Sequence, residues 1–216
     1  MKKLFFIFFV LINGVHFGQQ KSFKQFETTL INLEINTEGL DQIIIENSNN
    51  NFISIHLNEE NPNAHHIFST EENGVLKIGF QTVLQPKKKI FRKFITERLN
   101  RASVKIMLPK HKNLTFLGDE IDIISSNYQG NISIFIDKGT LKLSDLKGNL
   151  QLHLFSGNVF LNTSEGKIDI KSNNGRIEVD NKFMSTPFIK LDENSSRKVT
   201  VKSINANITL TTKKPQ

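Results

Sequence analysis

Six glycines stand nine residues apart in this chain, at Gly130, Gly139, Gly148, Gly157, Gly166 and Gly175. Two residues after each comes an aliphatic side chain (Ile132, Leu141, Leu150, Val159, Ile168, Ile177), and four after each comes another (Ile134, Leu143, Leu152, Leu161, Ile170, Val179). The position between is Ser133, Lys142, Gln151, Phe160, Asp169 or Glu178, polar in five copies of six. Residues two apart project from one face of a β-strand, so each copy reads as a short strand with an apolar and a wet face. A glycine just ahead supplies the positive φ or tight bend that turns the chain back towards a shared interior. A strand of four or five residues and a turn use up the nine and leave no room for a helix. The repeat therefore predicts an all-β chain, a β-solenoid of β-helix-like form with about nine residues per strand-plus-turn. Stacked hairpins in a sandwich are the competing fold, although their turns would vary more in length. Two units make a two-sided coil, and three make a coil of about 27 residues. The short unit favours two sides.

The same alternation runs less regularly on both sides of the repeat. Leu33 with Ile35, Ile43 with Ile45, Ile53 with Ile55, Leu76 with Ile78 and Phe80, and Val104 with Ile106 and Leu108 precede it, the last run stopped by Pro109. Leu114 with Phe116 and Ile121 with Ile123 lead into it; Ile189 with Leu191, Val199 with Val201, and Ile208 with Leu210 follow. The expected organisation is one domain over residues 19–216, regular over 130–184, with an irregular N-terminal part. Open ends of a solenoid expose strand edges. Residues 26–57 are the expected cap at one end, and Lys213-Lys214-Pro215 guards the other.

Residues 1–18 have the layout of a secretory signal peptide: Lys2 and Lys3, then an apolar run from Leu4 to Ile12, with cleavage expected after Gly18. That run falls short of the roughly 20 apolar residues that span a bilayer. Export is the expectation, to the periplasm, the cell surface or the medium. The chain has no cysteine, which excludes a disulfide framework, a thiolate metal site, a cysteine nucleophile and a lipidated N-terminal cysteine. Its formal charge of +7 is concentrated. Lys87, Lys88, Lys89, Arg92, Lys93, Arg98 and Arg101 face a single acid, Glu97, within a basic insertion at 85–102. Nucleic-acid binding wants a broad basic face, so none is expected. Ile90, Phe91, Phe94, Ile95 and Leu99 recur there at helical spacing, which predicts a basic amphipathic helix. Its apolar stripe either covers the parent domain or lies on an anionic membrane or acidic partner, giving weak membrane contact. Those seven basic residues are the candidate binding residues.

Asp119, Glu120 and Asp122 form the densest acid cluster, and paired carboxylates are what glycoside-cleaving enzymes use. Asp122 alternates with Ile121 and Ile123 as a wet strand residue, however, and Asp119-Glu120 follows Gly118 as a turn. His65-His66 falls in a polar stretch read as a loop, and neighbours in extended chain point apart, which makes a poor chelate. His56, His111 and His153 read as isolated outer-face residues. No Gly-x-Ser-x-Gly elbow or phosphate-cradling glycine loop occurs. The nine-residue calcium roll needs a second glycine and an aspartate where this chain places aliphatics. No catalytic residue, metal or cofactor is expected.

The leader, the irregular β part, the strand ending in Leu108-Pro109-Lys110, and ladders such as Gly148-Asn-Leu-Gln-Leu and Gly157-Asn-Val-Phe-Leu resemble the bacterial putative-adhesin family. That family is a domain of unknown function related to auto-transporter adhesin head (GIN) domains. The resemblance covers residues 26–210 and implies a β-helix-like exported domain with no established catalytic site. The basic insertion departs from the family pattern. The expected function is a non-enzymatic, adhesin-like binding or structural protein of the cell envelope, with a glycan or an envelope protein as ligand. The alternatives are a β-helix polysaccharide-active enzyme and a peripheral, membrane-associated envelope component.

Overall fold

The computed structural model describes residues 20–59, 65–82, 102–163 and 166–212. The leader, the basic insertion with its seven candidate residues, and the Lys213-Lys214-Pro215 tail lie outside the described residues. Among those described there is no helix. The strands are β1 (Gln20–Glu27), β2 (Asn32–Asn36), β3 (Gln42–Asn47), β4 (Phe52–Glu59), β5 (His65–Glu72), β6 (Val75–Thr82), β7 (Ala102–Leu108) and β8 (Asn113–Glu120). They continue with β9 (Asp122–Ser126), β10 (Ile132–Ser144), β11 (Leu150–Asn162), β12 (Lys167–Ser172), β13 (Ile177–Val179), β14 (Lys182–Met184), β15 (Phe188–Lys190) and β16 (Lys198–Thr211).

β10 and β11 pair in parallel with an eighteen-residue offset, so Ile132 faces Leu150 and Leu143 faces Leu161. Each of these strands, like β16, bends near its middle and serves two ladders. Ile132–Ile136 pairs with β8, whereas Leu141–Ser144 pairs with β9. Burial keeps step with the bend. Ile132, Ile134 and Ile136 are buried before it and Leu141 and Leu143 after it, a change from even to odd positions that keeps both halves facing one core. That core is continuous from Leu33 to Leu210.

The expected solenoid is corrected by the order of the strands. One ladder runs β5–β6–β2–β8–β10–β11–β16–β12–β15, and the other runs β1–β4–β7–β3–β9–β10–β11–β16–β13–β14. β16 enters between β11 and the pair β12 and β13, while β2 and β3 enter between β6 and β7 on one side and β8 and β9 on the other. The margins are antiparallel: β1 with β4, β4 with β7, β5 with β6, β12 with β15 and β13 with β14. The result is one open, mixed, 16-stranded sheet. A nine-residue spacing dictates where strands and bends fall. It does not dictate which strand lies beside which, and any strand of matching alternation can take a slot.

Three further expectations change with it. The strands in the repeat are not all short, since β10 and β11 span thirteen residues and β16 fourteen. Ile189 and Leu191, read as a core pair, are 59% and 76% exposed, because β15 is a marginal strand that turns Phe188 inward instead. The 26–57 segment is no simple cap, because β2 and β3 are interior strands and only β1 lies at a margin.

The glycines serve mainly close approach. Gly139, Gly157 and Ala206 are register partners on β10, β11 and β16. A Cβ on Gly157 would overlap the Gly139 carbonyl oxygen, and one on Gly139 would overlap that of Ile121. Of the six ladder glycines, only Gly157 and Gly166 have positive φ, at 132° and 111°. At another edge, asparagines do the bracing. Asn113 Nδ2 donates to Asn32 Oδ1 and Asn131 Nδ2 to Asn113 Oδ1, both at 2.9 Å; Asn131 Oδ1 accepts from the Asn149 amide, and Asn149 Oδ1 from the Lys198 amide, both at 2.8 Å.

Candidate functional site

The outer surface of β10, β11, β16 and β12 forms a grid, because register aligns every second residue across the strands. One row is Ser133, Gln151, Thr200 and Asp169. The next, two residues further along each strand, is Phe135, His153, Lys202 and Lys171. At the bend follow Asp137, Phe155, Ile204 and Asn173. The last two rows line an open, shallow cleft of about 560 Å³, with Gly118 at its β8 side.

The inward partners of these residues make the floor rigid. Ile134, Leu152, Val201 and Ile170 lie behind it fully buried. The bend is fastened by backbone bonds from Asn173 to Ser203 and from Asn174 to Ile204. Rings gather on the outside. The Phe135 and His153 centroids are 5.2 Å apart with planes tilted by 31°, and Gln151 Nε2 lies 3.3 Å from His153 Nε2. Phe155 is 54% exposed and Ile204 41%. Together with Phe135 and His153 they make a contiguous apolar patch rimmed by polar groups, the kind of surface that takes a ligand. The cleft joins apolar ring faces to the Asn173 amide, the Lys171 and Lys202 ammonium groups and the Asp137 carboxylate, with Ser133, Gln151, Thr200 and Asp169 in the row beside it.

Of the residues singled out from the sequence, His153 lies in the cleft, the acids Asp119, Glu120 and Asp122 lie outside it, and the seven basic residues of the insertion fall outside the described residues. Glu120 bonds Lys138 at 3.1 Å, and Asp122 accepts the Thr140 amide at 2.7 Å, so both hold neighbouring strands together. Asp119 and Glu120 border a separate depression with Glu38 and Leu40. Asp122 lies on β9, across the bend, so the three acids do not converge. His65 and His66 do point apart, but both are in β5 rather than a loop: His65 is buried against Glu59 and His66 is exposed. His56 and His153 lie on outer strand faces as expected, His56 with its ring 4.8 Å from that of Phe23. His111 instead occupies the turn after β7 with φ of 65°. Among the described residues, no three His, Asp or Glu side chains are grouped as metal ligands.

Sequence reasoning missed Phe135, Phe155, Lys171, Lys202 and Ile204. Phe135 and His153 are eighteen residues apart, a signal the repeat contained. Lys202 joins their row only because β16 intercalates, which no spacing announces.

No family model matches the chain, and no curated protein matches it. Its backbone is similar to that of a solved structure described as a putative cell adhesion protein from Clostridium sporogenes ATCC 15579. The TM-score is 0.62 at 11% identity, over 90% of this chain and 99% of that one. Two structures described as putative adhesins give TM-scores of 0.31. The one from Parabacteroides merdae ATCC 43184 is 15% identical over 88% of this chain and 78% of its own. The one from Bacteroides fragilis NCTC 9343 is 12% identical over 89% and 98%. At 11% identity the Clostridium likeness is one of fold.

Proposed function

We propose that this chain is an exported, non-enzymatic, adhesin-like binding protein of the cell envelope, and that it holds a carbohydrate in the cleft over β10, β11, β16 and β12. The observation that carries the reading is the cluster of partly buried Phe135 and His153 with exposed Phe155 and Ile204, on a floor whose inward side is fully packed. Aromatic rings offer apolar faces to the C–H faces of sugar rings, and side-chain amides and hydroxyls beside them match sugar hydroxyls. Asn173 in the cleft, and Gln151 and Thr200 in the row beside it, supply such groups. A preformed site of this kind loses little freedom on binding. Export is supported by the leader-like residues 1–18. The adhesion-protein description of the Clostridium structure agrees with the binding role. Engagement of Glu120 and Asp122 in bonds between strands favours binding over catalysis.

The test is a glycan array probed with the full chain and with Phe135→Ala/Phe155→Ala. The native chain is expected to bind a defined subset of glycans, and the double variant to bind them at least tenfold less, with an unchanged melting temperature. Equal binding by both proteins, or glycan turnover by the native chain, contradicts the proposal.

A further inference from the structure

Resting on that reading, we infer that the bound carbohydrate is acidic, with its carboxylate or sulfate held between Lys202 and Lys171 while a sugar ring lies over Phe135, His153 and Phe155. The two lysines are direct register partners on β16 and β12, both exposed. Like charges placed directly opposite one another on neighbouring strands destabilise a sheet. Neither ammonium takes part in an ion pair among the described residues. Asp169 stands one row over on β12. Asp137 lies on β10, three strands from Lys171 and so about 14 Å away across the sheet. The cleft is therefore polar end to end, with a carboxylate at the β10 side and two cations at the β12 side. An acid group bridging both ammoniums removes the repulsion and gains two charge-assisted bonds.

His153 completes the geometry. Phe135, His153, Lys202 and Lys171 occupy successive strands about 4.8 Å apart, so ring contacts and cations follow one line across the sheet. A ligand lying along it meets the rings first and the charges one or two strands on. That is the layout of a pyranose chain whose neighbouring unit carries the acid. A neutral glycan would fill the aromatic half and leave the lysines opposed.

The experiment uses the full chain, the variant Lys171→Gln/Lys202→Gln and the aromatic double variant. The probes are an array of neutral, carboxylated and sulfated glycans, polygalacturonate with its methyl ester, and phosphatidylglycerol vesicles. Acidic glycans are expected to bind at least tenfold better than their esters, and the lysine variant to lose that preference. Added salt should weaken the acidic binding and leave any ester binding unchanged. The lysine variant should also melt slightly higher than the native chain, a rise that a purely structural role for the pair would not produce. Binding of neutral glycans untouched by the lysine change overturns the acidic assignment and leaves the carbohydrate reading standing. Binding to no glycan overturns both. Capture by the vesicles alone, lost in the lysine variant, also overturns the inference.

Discussion

Glu59 and His65 form a buried pair that closes the crossing from one ladder to the other. β4 ends at Glu59 and β5 begins at His65, and each residue is 2% exposed. Glu59 Oε1 accepts the His65 amide at 2.7 Å and lies 3.1 Å from His65 Nδ1. Removing one member of a buried charged contact strands the other, at about 2–4 kcal/mol. Glu59→Ala is expected to lower unfolding free energy by that amount in urea titration. Glu59→Gln, which keeps an acceptor oxygen, should lose clearly less. Equal losses would mean that the carboxylate charge, which both variants remove, matters more at this position than the acceptor oxygen or the side-chain volume.

Tyr128 offers a pH prediction with an internal reporter, because it is the single tyrosine and there is no tryptophan. Its side chain is fully buried, its hydroxyl donates to the Lys112 carbonyl at 3.0 Å, and burial pushes its pKa well up. The sign follows from which form the fold prefers. The folded state favours the neutral phenol, so this stabilisation is complete below the unfolded value near 10 and is lost as pH rises beyond it. The phenolate absorbance should therefore be absent from folded protein at pH 10 to 11 and should appear together with unfolding, as read by far-UV circular dichroism. Phenolate forming in a protein that stays folded would contradict this. Tyr128→Phe should cost about 1 kcal/mol.

The glycine ladder predicts a contrast between close approach and backbone angle. A Cβ at Gly139 meets the Ile121 carbonyl, a backbone atom at the bend between β8 and β9, whereas at Gly74 nothing lies within 4 Å. Gly74 has φ of 75°, so alanine there bears only the left-handed penalty of about 1–2 kcal/mol. Gly139→Ala must displace the backbone at the bend between β8 and β9 and is expected to cost about 3 kcal/mol or more. Thermal unfolding of the two variants measures the difference. A milder effect at Gly139 than at Gly74 would mean that backbone angle outweighs packing.

Much of the strand content was legible because burial follows alternation. Leu33, Ile35, Ile43, Ile45, Val104, Ile106, Ile132, Ile134, Leu150 and Leu152 all lie in the core, as their spacing required. Neighbour choice was not legible. β16 presents Val199, Val201, Ala206, Ile208 and Leu210 to the core, and Ala206 takes the place beside Gly157 that a seventh glycine would have held. Alanine is small enough for the slot and invisible to a search for glycine. The site suffered from the same gap. Lys171 and Lys202 are far apart in the chain, and only the intercalated strand makes them neighbours.

That intercalation yields the sharpest prediction about the architecture. In a coil built in sequence order, the last strand would lie at an end, where losses are mild. Here Ile208 is 1% exposed, on a strand flanked by β11 and β13, although it stands near the end of the chain. Ile208→Ala removes buried methyl groups from the middle of the shared core and should cost about 2–4 kcal/mol. Ile189, nineteen positions earlier, is 59% exposed on the marginal strand β15, so Ile189→Ala should stay within about 0.5 kcal/mol of the native chain. Denaturant titration of the pair reads the topology directly. Comparable small losses at both positions would place β16 at an edge, and would separate Lys202 from Lys171.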